Sequence, residues 1–242
     1  MRFIHLFLAA ALFAAPPALA DNLFGKAKNL LGGVTGGSSS SGLSQAEIGA
    51  GLKEALSVGS GRVVEQVSAA GGFDGDPAIH IPLPDNLRKA QSILKRLGMS
   101  NELDVLEDRL NSAAEVASAK AKPLFLDAIE AMTLQDVMDI FNGPDDAATQ
   151  YFRRQMTPGL KSEMRPVVDS SLADVGAIQT YEQTVGEFSK VPLMPDLKAD
   201  LTEHVLDLGL DGIFHYLAQE EAAIRNNPAE RTTALLQKVF AR

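Results

Sequence analysis

Four side chains of metal-binding type lie three, four and four residues apart near the C-terminal end of the sequence: His204, Asp207, Asp211 and His215. At helical spacing they share one face, which rises by ~1.5 Å per residue. Neighbouring members of this stripe can hold zinc or a similar ion, which is the arrangement that a metal-dependent hydrolase would use. The outer two lie about three helical turns apart, too far for one ion, and no H-E-x-x-H motif is present. We therefore favour a solvated polar stripe opposite the apolar helix face.

Other arrangements with catalytic potential are incomplete. No G-x-S-x-G motif places a serine nucleophile, so a serine triad has no support. The acidic pairs Asp145-Asp146 and Glu220-Glu221 can act as acid and base only where burial changes their acidity. Their places at a helix start and on a helix face explain both pairs without catalysis. We expect no catalytic residue, no cofactor and no resident metal.

The first twenty residues have the order of a secretory signal. Arg2 precedes an apolar run over residues 3–15, and the small residues of Ala18-Leu19-Ala20 stand before Asp21. The run is too short for a membrane span, which needs ~20 residues. We expect cleavage after Ala20, residues 1–20 as the signal peptide, and a periplasmic protein.

The charge and the cysteine content of the chain exclude one class of partner and one source of stability. The chain has a net charge of −9, and loss of Arg2 with the signal lowers it to −10. An acidic surface repels phosphate backbones, so we expect no nucleic-acid partner. The sequence has no cysteine, so no disulfide can form and stability must come from apolar burial.

A short amphipathic segment and a Gly/Ser linker occupy residues 21–42. Four apolar side chains of this segment can share one face, with Lys26 and Lys28 away from it: Leu23, Phe24, Leu30 and Leu31. The linker at residues 32–42 makes the segment a tether, which predicts peripheral membrane contact or a protein partner. The alternative is that so short a helix frays or packs on its own domain.

Residues 43–242 are predicted to form one all-α domain of eight to ten helices with no sheet, because no stretch alternates with a two-residue period. Ser44 and Glu47 form a capping box that begins the first helix. Capping residues also precede further helices, at Asp85, Ser100, Thr133 and Thr157-Pro158. Breakers are predicted at Gly71-Gly72, at Gly98, at residues 142–144 and at Pro166, where the helix is kinked or divided.

Between the helices, residues 73–84 hold three prolines, which predict an extended loop. Toward the C-terminus, helices are predicted over residues 177–190 and 197–225, with a last one ending at Phe240. Small residues line one helix face at Ala113, Ala114, Ala117 and Ala121. That face either lets helices pack closely or lines an apolar cavity for a hydrophobic ligand.

Several separated blocks of the sequence have a recognisable pattern: NGPDDAATQYFRR at residues 142–154, GLKEAL at 51–56, IPLP at 81–84, AKPLFLDAI at 121–129, and LDGIF through RTTALLQKVF at 210–240. In this order, the blocks together resemble a bacterial family known as domain of unknown function 4197. The resemblance covers essentially residues 43–242. It implies an exported, helical protein, and no activity is attached to the family.

Two of these blocks hold our candidate binding residues. In the first, Asp145, Thr149 and Arg153 lie at i, i+4 and i+8 on one face, near Asp146 and Tyr151, at a junction whose free N–H groups can hold an anion or a carbonyl. The second block holds Glu220, Glu221, Arg225, Arg231 and Thr232 around a turn. We expect the residues of this second block to converge on one spot, because Asn227-Pro228 turns the chain between them. The alternative to a binding site is a buried ion-pair network that holds the terminal helix in place.

These observations favour an exported, non-catalytic envelope protein that acts as a binding or interaction module. Its partner is an unknown envelope protein or a hydrophobic ligand. A carrier with an inter-helix cavity is the first alternative, and a metal-dependent hydrolase is the second.

Overall fold

A computed structural model describes residues 44–96, 98, 100–174 and 197–227, with positions 229, 231, 237 and 239. These residues belong to one compact unit, Leu43–Arg242. Within the described part the chain is all-α without a strand, as predicted, and has seven helices: α1 (Gln45–Val67), α2 (Asp85–Arg96), α3 (Asn101–Ser118), α4 (Ala121–Ala131), α5 (Leu134–Asn142), α6 (Ala147–Asp174) and α7 (Leu197–Asn226). The predicted signal, tether and linker, the helix at 177–190 and most of the last helix lie outside the described residues.

Two helix starts have the predicted chemistry. The Ser44 hydroxyl accepts the N–H of Glu47 at 3.2 Å, and the Glu47 carboxylate accepts the N–H of Ser44 at 2.9 Å. Thr133 and Asp136 make the same reciprocal pair at the start of α5. Such boxes satisfy amide groups that the first helical turn leaves without partners.

The predicted capping role of Ser100 is wrong in its chemistry. Ser100 stands just before α3, but its backbone is helical, with φ −89° and ψ −1°, and its hydroxyl caps no amide. An N-cap needs extended backbone to turn its side chain back over the helix end. The Ser100 hydroxyl donates instead to the carboxylate of Asp104 at 2.7 Å.

Helix α6 corrects a second prediction, because no new helix begins at Thr157-Pro158. One helix runs through both Pro158 and Pro166. Each proline forfeits a helical hydrogen bond, but the apolar face that spans them is buried: Phe152, Leu160, Met164, Val168 and Leu172. Burial of this face outweighs the lost bonds. The Thr157 hydroxyl donates to the Arg153 carbonyl at 2.6 Å, within the same helix.

Helices α3, α6 and α7 pack on one another, and α1 covers α7. Phe125, Phe152 and Phe214 meet at the centre, with edge-to-face ring centroids 5.3 and 6.5 Å apart. None of the helices in the described ranges has both the length and the apolar character that crossing a bilayer requires. The three rings therefore join α4, α6 and α7 in the core.

The loop over residues 73–84 is only partly extended, in contrast to the prediction. Turns continue through residue 79, and residues 80–84 have no regular structure. Four of its apolar side chains are core residues: Phe73, Ile79, Ile81 and Leu83. The loop approaches α7 so closely at Gly212 that an added Cβ would lie 2.8 Å from Cε1 of Phe73.

Candidate functional site

A buried carboxylate from α7 caps the start of α6. Glu221 has a side chain only 6 % exposed. Its Oε1 accepts the N–H of Ala148 at 2.9 Å, and its Oε2 accepts the N–H and hydroxyl of Thr149 at 2.9 and 3.0 Å. Negative charge at the N-terminal end of a helix is favourable, since the unpaired amide groups there carry partial positive charge. Glu221 therefore fixes where α6 begins.

Arg225 carries the same network to the end of α5. Its Nε and Nη2 donate to Oε1 of Glu221 at 3.2 and 2.9 Å. Its Nη2 also donates to the carbonyl of Ile140 at 2.8 Å, and its Nη1 to that of Phe141 at 3.4 Å. Cations stabilise the carbonyl end of a helix. One ion pair thus serves two helix ends of opposite polarity.

Arg231 extends the network past the end of α7. It is 9 % exposed and donates to the carbonyls of Ile224 and Arg225 at 3.1 and 2.8 Å. At the exposed edge of this network, the Asn226 amide donates to the carboxylate of Asp145 at 2.9 Å. The structure therefore brings together five predicted residues: Asp145, Thr149, Glu221, Arg225 and Arg231. Thr232 lies outside the described residues.

Other predicted residues point elsewhere. Glu220 pairs with Arg62 of α1 at 2.8 Å, because adjacent helical residues are turned by about 100°. Arg153 pairs with Asp211 at 2.6 Å and lies 4.7 Å from the ring centroid of Phe214. Asp146 accepts two bonds from Gln150. These three residues therefore bond partners outside the Glu221–Arg225 network.

Tyr151 lines an open cleft between α5 and the first turns of α6, which we call the α5–α6 cleft. Its volume is about 240 Å³. Burial raises the pKa of the Tyr151 phenol, and the charge of Asp136 raises it further. The walls carry both apolar and polar groups: Asp136, Asp139, Ile140, Gly143, Pro144, Ala147, Gln150, Tyr151, Arg154 and Gln155.

The charged groups of the cleft suit hydrogen bonding better than proton transfer. Hydrogen bonds from Thr133 lower the pKa of Asp136, so its carboxyl stays ionised as an acceptor. Tyr151, with its raised pKa, stays protonated as a donor. Arg154 is exposed and makes no ion pair with any described residue. The cleft therefore offers acceptors on α5 and donors on α6.

The candidate metal stripe is engaged in other contacts. The imidazole of His204 donates from Nε2 to the Pro82 carbonyl at 2.7 Å. Asp207 pairs with Lys161 and Asp211 with Arg153, while His215 bonds Gln219 at 2.7 Å. Three of the four predicted residues are exposed, as a solvated stripe requires. Within the described ranges, no group of three or more His, Cys, Asp or Glu side chains could hold a metal ion.

Sequence reasoning missed a polar stripe on α3 that holds the proline-rich loop. Asn111 is fully buried, and its side-chain amide accepts the N–H of Ile81 at 2.8 Å and donates to the Ile81 carbonyl at 2.9 Å. Glu115 accepts the N–H of Phe73 at 3.1 Å. Glu107 bonds Nε2 of His80 at 2.7 Å.

The signal for this stripe was present in the sequence. Glu107, Asn111 and Glu115 recur at i, i+4 and i+8, which places them on one helix face. A loop that packs into the core has no strand or helix to satisfy its backbone, so side chains must do so. A polar stripe on a largely apolar helix indicates such a loop.

Small residues allow close packing of α3 and α7. The predicted alanines, Ala113, Ala114, Ala117 and Ala121, are all buried. A Cβ added at Gly209 would lie 3.7 Å from that of Ala114. The apolar pocket between α1 and α7 has a volume of about 20 Å³, little more than one water needs (~10–15 Å³). A carrier of bulky lipids has no support in this pocket.

Of the comparisons with known proteins, the comparison with protein families gives a match. A family model described as "Protein of unknown function (DUF4197)" matches residues 42–241. No curated protein and no solved structure matches the chain. The family match confirms the resemblance drawn from the sequence blocks, over the whole predicted helical domain.

Proposed function

The chain belongs to the DUF4197 family, and we propose that it is an exported, non-catalytic binding module of the bacterial envelope whose contact surface is the α5–α6 cleft. Export rests on the signal-like order of residues 1–20. The binding role rests on the site.

The observation that carries the proposal is an open cleft with fixed walls. The Glu221–Arg225 pair holds the end of α5 and the start of α6 through backbone bonds. The two walls of the cleft therefore keep their positions without a ligand. Pre-organised surfaces bind more tightly because less conformational freedom is lost on association.

The same network supports a non-catalytic role. The carboxylate of Glu221 accepts hydrogen bonds from Ala148, Thr149 and Arg225. Its lone pairs are occupied by backbone and side-chain donors, so it has no capacity left for a substrate proton. A binding module needs such a carboxylate only for its structure.

Recruitment to the envelope is assigned to the tether. The sequence predicts an apolar face of Leu23, Phe24, Leu30 and Leu31 in residues 21–31, and the Gly/Ser composition of residues 32–42 is typical of a linker. We place a weak membrane contact or the envelope partner there. Deletion of residues 21–42 should then weaken recovery of the protein with the membrane fraction, whereas unchanged fractionation would remove the tether from the proposal.

Native mass measurement of the gently purified, exported protein tests the cleft. Mass above that of the bare chain, lost in Tyr151→Ala/Arg154→Ala but kept in the surface control Glu163→Ala, supports a bound ligand in the cleft. Extra mass that survives the cleft variant places the ligand elsewhere.

A protein partner is tested separately by photo-crosslinking in cells. A crosslinking residue at Gln155, in the cleft wall, should give one discrete product. The same residue at the exposed position Glu163 serves as the control. Equal products from both positions, or none from Gln155 together with a bare-chain mass, would contradict the proposed contact surface.

A further inference from the structure

Helix α2 is basic in an acidic protein. Its twelve residues carry four cationic side chains and one anionic side chain, a net charge of +3, whereas the whole chain carries −9. Asp85 is paired with Arg88 at 2.6 Å. Lys89, Lys95 and Arg96 are exposed and make no ion pair with any described residue.

Two of the cations and one large apolar side chain share the outer face of α2. Lys89, Ile93 and Arg96 lie at i, i+4 and i+7, which places them on one side of a helix. Ile93 is 61 % exposed, more than any other large hydrophobic side chain in the described ranges. Leu87, 5 % exposed, marks the opposite side, which packs toward the core.

The acids nearest to α2 lie behind it. Gln91 donates to Asp104 and Glu107 of α3, at 2.8 Å in both cases. A helix with its side chains is about 10–12 Å across, and salt screens charges beyond about 8 Å at physiological ionic strength. A surface that touches the outer face therefore meets Lys89 and Arg96, while the acids of α3 lie on the far side of the helix, where the charge of Lys95 acts on Asp104.

We propose that this outer face, with Lys89, Ile93 and Arg96 at its centre, docks on an anionic phospholipid surface. None of these three residues lines the α5–α6 cleft. Lipid phosphates are matched by flexible cationic side chains without precise shape complementarity. Ile93 can enter the headgroup region between them, as apolar residues of interfacial helices do.

The composition of the face favours lipid over an acidic protein. Stable protein interfaces depend on a packed centre, commonly of aromatic residues, surrounded by a polar rim. Helix α2 contains no aromatic residue, and Ile93 is the one large apolar side chain exposed on it. Such a face gives electrostatic adsorption rather than a packed interface.

Co-sedimentation of the exported full chain with lipid vesicles tests this assignment. We expect binding to phosphatidylcholine vesicles that contain phosphatidylglycerol, weakening as salt is added, and little binding to phosphatidylcholine alone. Lys89→Gln/Arg96→Gln should weaken binding by about fivefold per charge, roughly thirtyfold in total. Lys120→Gln/Lys122→Gln removes the same charge at exposed positions at the start of α4 and should bind nearly as the parent does.

Three results would overturn the proposal. Equal weakening in both double variants would show diffuse charge rather than a defined face. An undiminished Lys89→Gln/Arg96→Gln variant would place the contact elsewhere, such as residues 21–31. Absence of binding by the parent protein would leave an acidic protein as the occupant. Lys89→Arg/Arg96→Lys keeps the charge and should bind as the parent does, which separates charge from any loss of folding.

Discussion

Asn111 and Ile81 exchange the two hydrogen bonds that neighbouring strands would exchange, although one partner is a side chain. The Asn111 amide accepts from the Ile81 N–H at 2.8 Å and donates to its carbonyl at 2.9 Å. Both residues are fully buried. The amide thus takes the place of a strand for a loop in an all-helical protein.

Replacement of the Asn111 amide should lower the free energy of unfolding substantially. Asn111→Ala leaves both backbone groups of Ile81 without their partner, and each buried unpaired group costs ~1–3 kcal/mol. We expect the free energy of unfolding, measured with urea, to fall by about 3 kcal/mol. Asn101→Ala, at an exposed position of the same helix, should change it by less than ~0.5 kcal/mol. Similar losses in both variants would contradict the role of Asn111.

The close approach of the loop to α7 predicts a contrast between two glycines. An added methyl group at Gly212 meets Phe73 at 2.8 Å, whereas at Gly209 the nearest contact is 3.7 Å. Gly212→Ala should lower the free energy of unfolding by about 1–3 kcal/mol through overpacking. Gly209→Ala should be neutral or raise it by up to ~1 kcal/mol, because alanine favours a helix. Equal thermal unfolding midpoints would show that the loop yields without cost.

The hydrogen-bonded pair of Tyr216 and Asp76 predicts that the stability of the folded protein depends on pH at both acid and alkaline pH. The hydrogen bond from Tyr216 lowers the pKa of Asp76. The ionised Asp76 therefore stabilises the folded protein above the ordinary pKa of 3.8, and this stabilisation is lost as pH falls through the lowered pKa. The same bond raises the pKa of Tyr216, so this stabilisation is present below 10.0 and is lost as pH rises through the raised pKa.

Tyr216→Phe should therefore flatten the urea-midpoint profile at both acid and alkaline pH. Tyr151→Phe is the matched control, because burial is the main cause of its raised pKa. It should flatten only the alkaline side. An unchanged acid limb in Tyr216→Phe would mean that Asp76 gains nothing from the phenol.

Substitution of the two adjacent glutamates on α7 should lower the free energy of unfolding by very different amounts. Glu221→Gln removes the buried carboxylate charge that accepts from Arg225 and from the amides of Ala148 and Thr149, and breaking such a buried pair typically costs ~3–5 kcal/mol. Glu220→Gln removes a partly exposed pair with Arg62 and should cost less than ~1 kcal/mol. Urea unfolding at neutral pH measures both. Comparable losses would mean that the buried network is not the stronger interaction.

The capping box at Ser44 and the helical class were predictable because both depend on local patterns. The partner of Glu221 was not, since Ala148 lies 73 residues away. Periodicity tells which residues share a helix face but not which helix that face meets. The helix start predicted at Thr157-Pro158 was wrong for a related reason. The stabilisation from burying the apolar face of α6 outweighs that local signal, and it depends on packing that the sequence does not display.

The Glu221–Arg225 pair also affects how the helices open. Isolated helix ends normally fray, one turn at a time and independently of each other. Here the end of α5 and the start of α6 share donors and acceptors with α7, so one end cannot loosen without breaking bonds that hold the other. The three helices should therefore behave as one cooperative unit, and the amides of Ala148 and Thr149 should exchange with solvent at the slow rate of the core rather than that of a terminus.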